Sequence, residues 1–91
     1  MNNKTRKKLM GIGAQVCVYK ESIEDLKSDI ESIRDDEEEK YENLPEGLQE
    51  SEMGEKLMEV YEKLDEIVDM LDTIVDEINE VSEGIDEVVL L

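Results

Sequence analysis

Ninety-one residues bound a single small domain, and 27 acids against 10 bases give it a net charge of -17, far beyond the roughly 2 to 8 units that keep a small domain soluble. With no His, no Trp, no Phe and one Cys, the composition excludes a disulfide framework and a His-activated nucleophile. No apolar run approaches the roughly 20 residues of a membrane span.

Residues 1–8 are basic and polar (Lys4, Arg6, Lys7 and Lys8) and are expected to fray. The apolar run that follows, Leu9 to Tyr19, is interrupted by Gly11, Gly13 and Gln15 and leads to no small-residue cleavage site, so it is not read as a secretion signal; the expected compartment is the cytoplasm. From Leu9 a heptad array begins, with Leu9, Val16, Ile23 and Ile30 at one position and Ile12, Tyr19, Leu26 and Ile33 at the other. This spacing predicts a helix over about residues 9–42, weakened early by Gly11 and Gly13.

Punctuation comes at Asn43-Leu44-Pro45-Glu46-Gly47. Proline disfavours helix at the residue before it and can open a new helical turn, and Gly47 permits a reversal. A short turn of helix is expected over Pro45 to Glu50, and Ser51 is the expected N-cap of the next helix. The turn therefore spans about residues 43–51 and the second long helix about 52–89.

That second helix carries the strongest pattern in the chain. Leu57, Leu64, Leu71, Ile78 and Ile85 alternate with Val60, Ile67, Ile74, Val81 and Val88 without a slip, the 3.5-residue period of a coiled-coil seam. Gly54 and Gly84 count against it. Facing residues of an antiparallel hairpin have position numbers with a constant total. Leu9 with Val88, Ile12 with Ile85, Val16 with Val81 and Ile23 with Ile74 all total 97, and Leu44 with Met53 closes the turn at the same value. The fold class is all-α: two long antiparallel helices forming a coiled-coil hairpin over residues 9–91.

The second helix bears a further apolar stripe, Tyr61, Val68, Val75 and Val89, with Met70 on the other flank. A face wider than two positions is typical of bundles. Two hairpins are therefore expected to pair as a homodimer in a four-helix bundle, or Tyr61, Val68, Val75 and Met70 to dock on a partner.

Acids recur opposite this seam at Glu55, Glu59, Glu62, Glu66, Asp69, Asp76, Glu80, Glu83 and Glu87. A second group, Asp35, Asp36, Glu38, Glu39 and Glu42, sits beside the turn. All 27 acids and only five bases fall in residues 21–91, a net charge of -22. Along a hairpin of roughly 60 Å that is about one charge per 3 Å, against about one per 1.7 Å in duplex DNA. A solvated coiled-coil face and a nucleic-acid mimic both produce acids at this spacing. The shortage of bases favours mimicry, since Lys56 and Lys63 are the only cations on the second helix. The residues expected to meet a basic partner are Asp35, Asp36, Glu38, Glu39, Glu42, Glu55, Glu59, Glu62, Glu66, Asp69 and Asp76.

The remaining motifs carry less. The cluster from Asp35 has Lys40 where a calcium loop needs glycine, so no metal is expected. The basic N-terminus lacks the interleaved aromatics of a nucleic-acid surface, so neither direct nucleic-acid binding nor a membrane contact is expected. Cys17 reads as a small apolar residue at an interface. No carboxylate pair is set apart from the others and no glycine-rich phosphate loop is present. The chain is read as a non-enzyme without a cofactor.

The segment Glu38-Glu39-Lys40-Tyr41-Glu42-Asn43-Leu44-Pro45-Glu46-Gly47-Leu48-Gln49-Glu50-Ser51-Glu52 resembles one in small acidic helical-hairpin proteins of phages and mobile elements of Gram-positive bacteria. Those proteins likewise begin with a basic cluster and flank such a turn with long heptad helices. This chain departs from them at Gly11 to Val18. The resemblance implies a mobile-element origin, a setting in which small acidic proteins often inhibit host defence as anti-CRISPR proteins or DNA-imitating restriction inhibitors. The expected function is a protein-binding module of that type, directed at a basic, nucleic-acid-handling host protein. The alternative is a structural or assembly coiled coil acting through its apolar stripe.

Overall fold

A computed structural model describes residues 1–91 and contains three helices, α1 (Asn3–Glu42), α2 (Glu46–Gln49) and α3 (Glu52–Leu90), with no strand. The two long helices run antiparallel as a rod of 69 × 14 × 13 Å. Its radius of gyration is 20.4 Å, against roughly 12 Å for a compact domain of this length. Burial can therefore occur only along the line where α1 meets α3 and, at the turn, where α2 meets α3.

α1 starts earlier than the heptads indicate. Asn2 is extended (φ -77°, ψ 167°) and its side chain accepts from the Thr5 N–H at 2.8 Å, a proper N-cap. Lys4, Arg6, Lys7 and Lys8 are thus helical rather than frayed. Arg6 Nε donates to the Val89 carbonyl at 3.0 Å, which ties the start of α1 to the last turn of α3 and sets a cation at that helix's C-terminal end.

The turn matches the residues that punctuate the sequence, with one exchange of roles. Pro45 is extended (φ -55°, ψ 146°) and precedes the four-residue α2. Gln49 Nε2 donates to the carbonyls of Tyr41 (3.3 Å) and Leu44 (3.5 Å), holding α2 against the end of α1. Ser51 caps α3, its hydroxyl accepting from the Gly54 N–H at 3.4 Å. No residue has a positive φ, so Gly47 supplies no left-handed reversal. The indispensable glycine is Gly54, which is buried beneath α2: a Cβ there would lie 2.1 Å from the Gln49 carbonyl oxygen.

The register of the long helices follows from their contacts. Gly13 lies against Ile85, Cys17 against Ser82, Lys20 against Asn79, Lys27 against Asp72 and Arg34 against Asp65. These position numbers total 98 or 99, one or two beyond the 97 that the apolar rows suggest.

The larger difference is rotational. On α1 the row Leu9, Val16, Ile23, Ile30 is half-buried, but Ile12, Tyr19, Leu26 and Ile33 are exposed. On α3 the row Leu57, Leu64, Leu71, Ile78, Ile85 is half-buried, but Val60, Ile67, Ile74, Val81 and Val88 are exposed. Each helix instead turns inward the row four residues on from its central row. On α3 that row is Tyr61, Val68, Val75 and Val89, and Val68, 4% exposed, is the most buried side chain of the protein. Tyr61, Val68 and Val75 are therefore seam residues, not a free stripe. Met70 alone of the four expected contact residues is on the surface, 59% exposed.

Cations explain the rotation. The inward row of α1 is Arg6, Gly13, Lys20, Lys27, Arg34 and Tyr41, none more than half-exposed. Long basic stems cover apolar surface while their heads reach water or a counter-charge. Lys27 bridges Asp72, Arg34 Nη1 meets Asp65 at 2.9 Å, and Lys20 Nζ donates to Asn79 at 3.0 Å. Turning Leu26 and Ile33 inward would pull these heads from their partners. At Gly13 the helices approach so closely that a Cβ would sit 3.1 Å from Ile85 Cγ2.

Candidate functional site

Three surfaces follow from this rotation. One edge of the seam is a polar ladder: Lys20–Asn79, Lys27–Asp72, Arg34–Asp65 and Cys17–Ser82, the last pair 3.8 Å apart. Hydrogen bonding to Asp72 holds the Lys27 ammonium above the usual lysine range, and bonding to Asp35 and then Asp65 raises the Arg34 guanidinium. Solvent-screened pairs of this kind contribute little, so the ladder sets rotation more than it supplies stability.

The opposite edge is apolar. A residue three positions beyond the central row lies about 100° round the helix from one four positions beyond it. The two outward rows therefore leave the seam on the side away from the ladder. Because the helices are antiparallel, they leave it on the same side. Ile12, Tyr19, Leu26 and Ile33 thus stand beside Met53, Val60, Ile67, Ile74, Val81 and Val88 on one continuous face. Tyr19 is 60% and Leu26 53% exposed. The signal for this face was present in the sequence as a surplus, since α3 carries three apolar rows and one neighbouring helix can cover two.

The outer flanks are acidic. Glu55, Glu59, Glu62, Glu66, Asp69 and Asp76, continued by Glu80, Glu83 and Glu87, are all exposed along the side of α3 turned away from α1. Their one salt bridge is Glu59 to Lys63 at 3.3 Å. Near the turn, Asp35, Glu39 and Glu42 occupy the corresponding outer side of α1, with Asp36 one position round. Asp35 is held by Arg34 Nε at 3.1 Å. Lys40 bridges Glu37 at 2.8 Å, and that hydrogen bond raises the Lys40 ammonium. The two acidic groups therefore form ridges on opposite flanks rather than one patch. No three carboxylates converge on a common point that would hold a metal ion.

Glu38 is different. It is half-buried on the ladder edge beside Tyr61, and its negative charge is the main cause that pushes the Tyr61 phenol above its usual range; burial and Asp65 act in the same direction and Arg34 opposes them. A phenol raised on folding stabilises the fold below the ordinary tyrosine range and loses that contribution as pH rises through its raised value. Lys27 follows the same sign, so the hairpin weakens at alkaline pH. In a chain whose other tyrosines are replaced (Tyr19→Phe, Tyr41→Phe), Glu38→Gln moves the Tyr61 absorbance titration to lower pH; an unchanged titration would remove Glu38 as the cause.

Cys17 is exposed beside a shallow hollow lined by Met10, Gly13, Ala14, Ser82 and Ile85, on the ladder edge and away from the open apolar face. Lys4, Lys7 and Lys8 are exposed at the open end of the rod. No helix is long and apolar enough to cross a membrane.

Comparison with protein-family models, with curated proteins and with solved structures returns no match.

Proposed function

We propose that this protein is a non-catalytic acidic binding module whose ridges occupy a basic groove on a nucleic-acid-handling host protein and block it as a nucleic-acid mimic would. The observation that carries this reading is where the cations are. Arg6, Lys20, Lys27 and Arg34 reach across the seam or along its edge, and the outer flanks are left almost without counter-charge. The seven salt bridges engage seven of the 27 acids, leaving 20 unbridged. A surface evolved only for solubility mixes both signs. The resemblance of the turn segment to mobile-element proteins supports a host-defence target of the CRISPR or restriction type and a cytoplasmic site of action.

The test is charge reversal on the ridge. Glu62→Lys, Glu66→Lys, Asp69→Lys and Asp76→Lys together remove the central ridge without touching the seam. Capture of basic proteins from a Gram-positive host lysate falls at least about 100-fold at moderate salt, because a polyelectrolyte contact depends on the number of charges engaged. Capture unaffected by the four reversals would eliminate the electrostatic reading.

A second reading rests on the open apolar face: a structural or assembly protein in which the acids only keep the rod dispersed. Its contact would be carried by the Ile12 and Val60 rows with Met70 at their margin, and its affinity would be nearly independent of salt.

A further inference from the structure

We infer that the open apolar face is covered by a second copy of this chain, packed face to face with both turns at the same end of a four-helix bundle.

Three observations carry this. The first is area. The side of the rod that carries this face is about 14 Å wide and roughly 60 Å long, about 800 Å² with its polar margins included, close to the roughly 800 Å² per partner of a stable interface. The second is length. The face runs from Ile12 and Val88 at the open end to Ile33 and Met53 near the turn, nearly the whole 69 Å rod. A second copy matches that length by construction.

The third is register and charge. When the copies are related by a two-fold axis along the rod, α1 of each lies antiparallel to α3 of the other, at the same levels as within one hairpin. Ile12 then faces Val88 of the other copy, Tyr19 faces Val81, Leu26 faces Ile74 and Ile33 faces Ile67. Four layers are apolar on both copies and neither rod overhangs; nearer the turn, Val60 lies at the level of Lys40. The same pairing sets Asp36 opposite Lys63 across the margin of the face. Lys63 is free for this role, because its bond within the chain is an exposed bridge to Glu59. Asp36 has no salt bridge within the chain. The acidic flanks of α3 and α1 remain outside the bundle.

This inference does not rest on the acidic-ridge reading, and salt separates the two. Pairing two chains of -17 each is opposed by repulsion that salt screens, so self-association strengthens from low to moderate ionic strength. A contact between an acidic ridge and a basic protein weakens over the same range.

The experiment is sedimentation equilibrium of the full chain at low and moderate salt. The expected species has twice the 10.5 kDa chain mass, and its dissociation constant decreases with salt. Leu26→Glu with Ile67→Glu weakens association at least about 100-fold by placing charges in a desolvated layer, while far-UV circular dichroism stays helical. Glu62→Gln with Glu66→Gln, on the outer ridge, leaves the dimer intact and guards against a general effect of altered charge. Orientation is read by cross-linking a Cys17→Ser, Asp36→Cys, Lys63→Cys chain under mild oxidation, which gives a covalent dimer. A monomer at millimolar concentration, a dimer that survives the paired Glu substitutions, or a dimer that fails to cross-link at positions 36 and 63 would each overturn the proposal.

Discussion

Val68→Asp unfolds the hairpin, whereas Ile67→Asp, one residue away, leaves it folded. Val68 is 4% exposed where α3 meets α1, and Ile67 lies on the open face. A carboxylate at 68 has no cation to pair with, because the nearby Arg34 is already shared by Asp35 and Asp65. Burying an unpaired charge removes about 3 kcal/mol or more, a large share of the 5–15 kcal/mol that stabilises a typical domain. This rod closes on a single seam and starts from the low end of that range. If two copies pair through this face as inferred above, Ile67→Asp removes only the concentration-dependent part of the stability. Urea denaturation followed by circular dichroism at several protein concentrations separates the two. Equal loss at both positions would mean that α3 presents a different face to α1.

Gly54→Ala destabilises the hairpin even though it lies within a helix. By intrinsic propensity, alanine is better than glycine by about 1 kcal/mol in a helix interior. At position 54 the added Cβ would stand 2.1 Å from the Gln49 carbonyl oxygen and 2.7 Å from that of Leu48. Backbone must move, and α2 must lift from α3, breaking the arrangement in which Gln49 holds the end of α1. Overpacking of this kind removes about 1–3 kcal/mol, reversing the sign set by propensity. Gly11→Ala provides the contrast. Nothing lies within 4 Å of a Cβ there, so it raises the melting temperature. A stabilising Gly54→Ala would show that α2 does not pack as described.

These two positions show what was legible in the sequence. The heptads, Pro45 and Ser51 were enough for two long helices, a short one and an antiparallel return, because period and capping are local properties. The choice of rows was not local. On α3 the central row could pair with the row of Ile67 or with that of Val68, and both are apolar. What decides between them is on α1, where Lys20, Lys27 and Arg34 reach carboxylates or amides of α3 only when their own row faces inward. Apolar matching favours a total of 97 and the cation ladder favours 98 or 99. The ladder prevails because long basic stems also cover the Val68 row. Gly54 reads as a defect for a similar reason, since the approach of α2 is set by Gln49 and not by α3.

The acidic residues were legible as a stripe, but their division between two flanks was not. Asp35, Glu39 and Glu42 are placed across the rod from Glu62 and Asp69 by the hairpin itself. Glu38 leaves the group altogether and becomes a neighbour of Tyr61. Two ridges along one rod present charge on both sides, as a duplex does, so a groove that encloses the rod meets carboxylates on either wall.

The most direct test of this account is the salt dependence of partner binding. Affinity for a basic protein captured from host lysate is measured from about 50 mM to 200 mM salt, a range over which a contact of many charges loses roughly 10³-fold or more. The account predicts a steep fall for the native chain and a much shallower slope once Glu62, Glu66, Asp69 and Asp76 are reversed. An affinity that is flat across this range would contradict it, and would place the function on the apolar face instead.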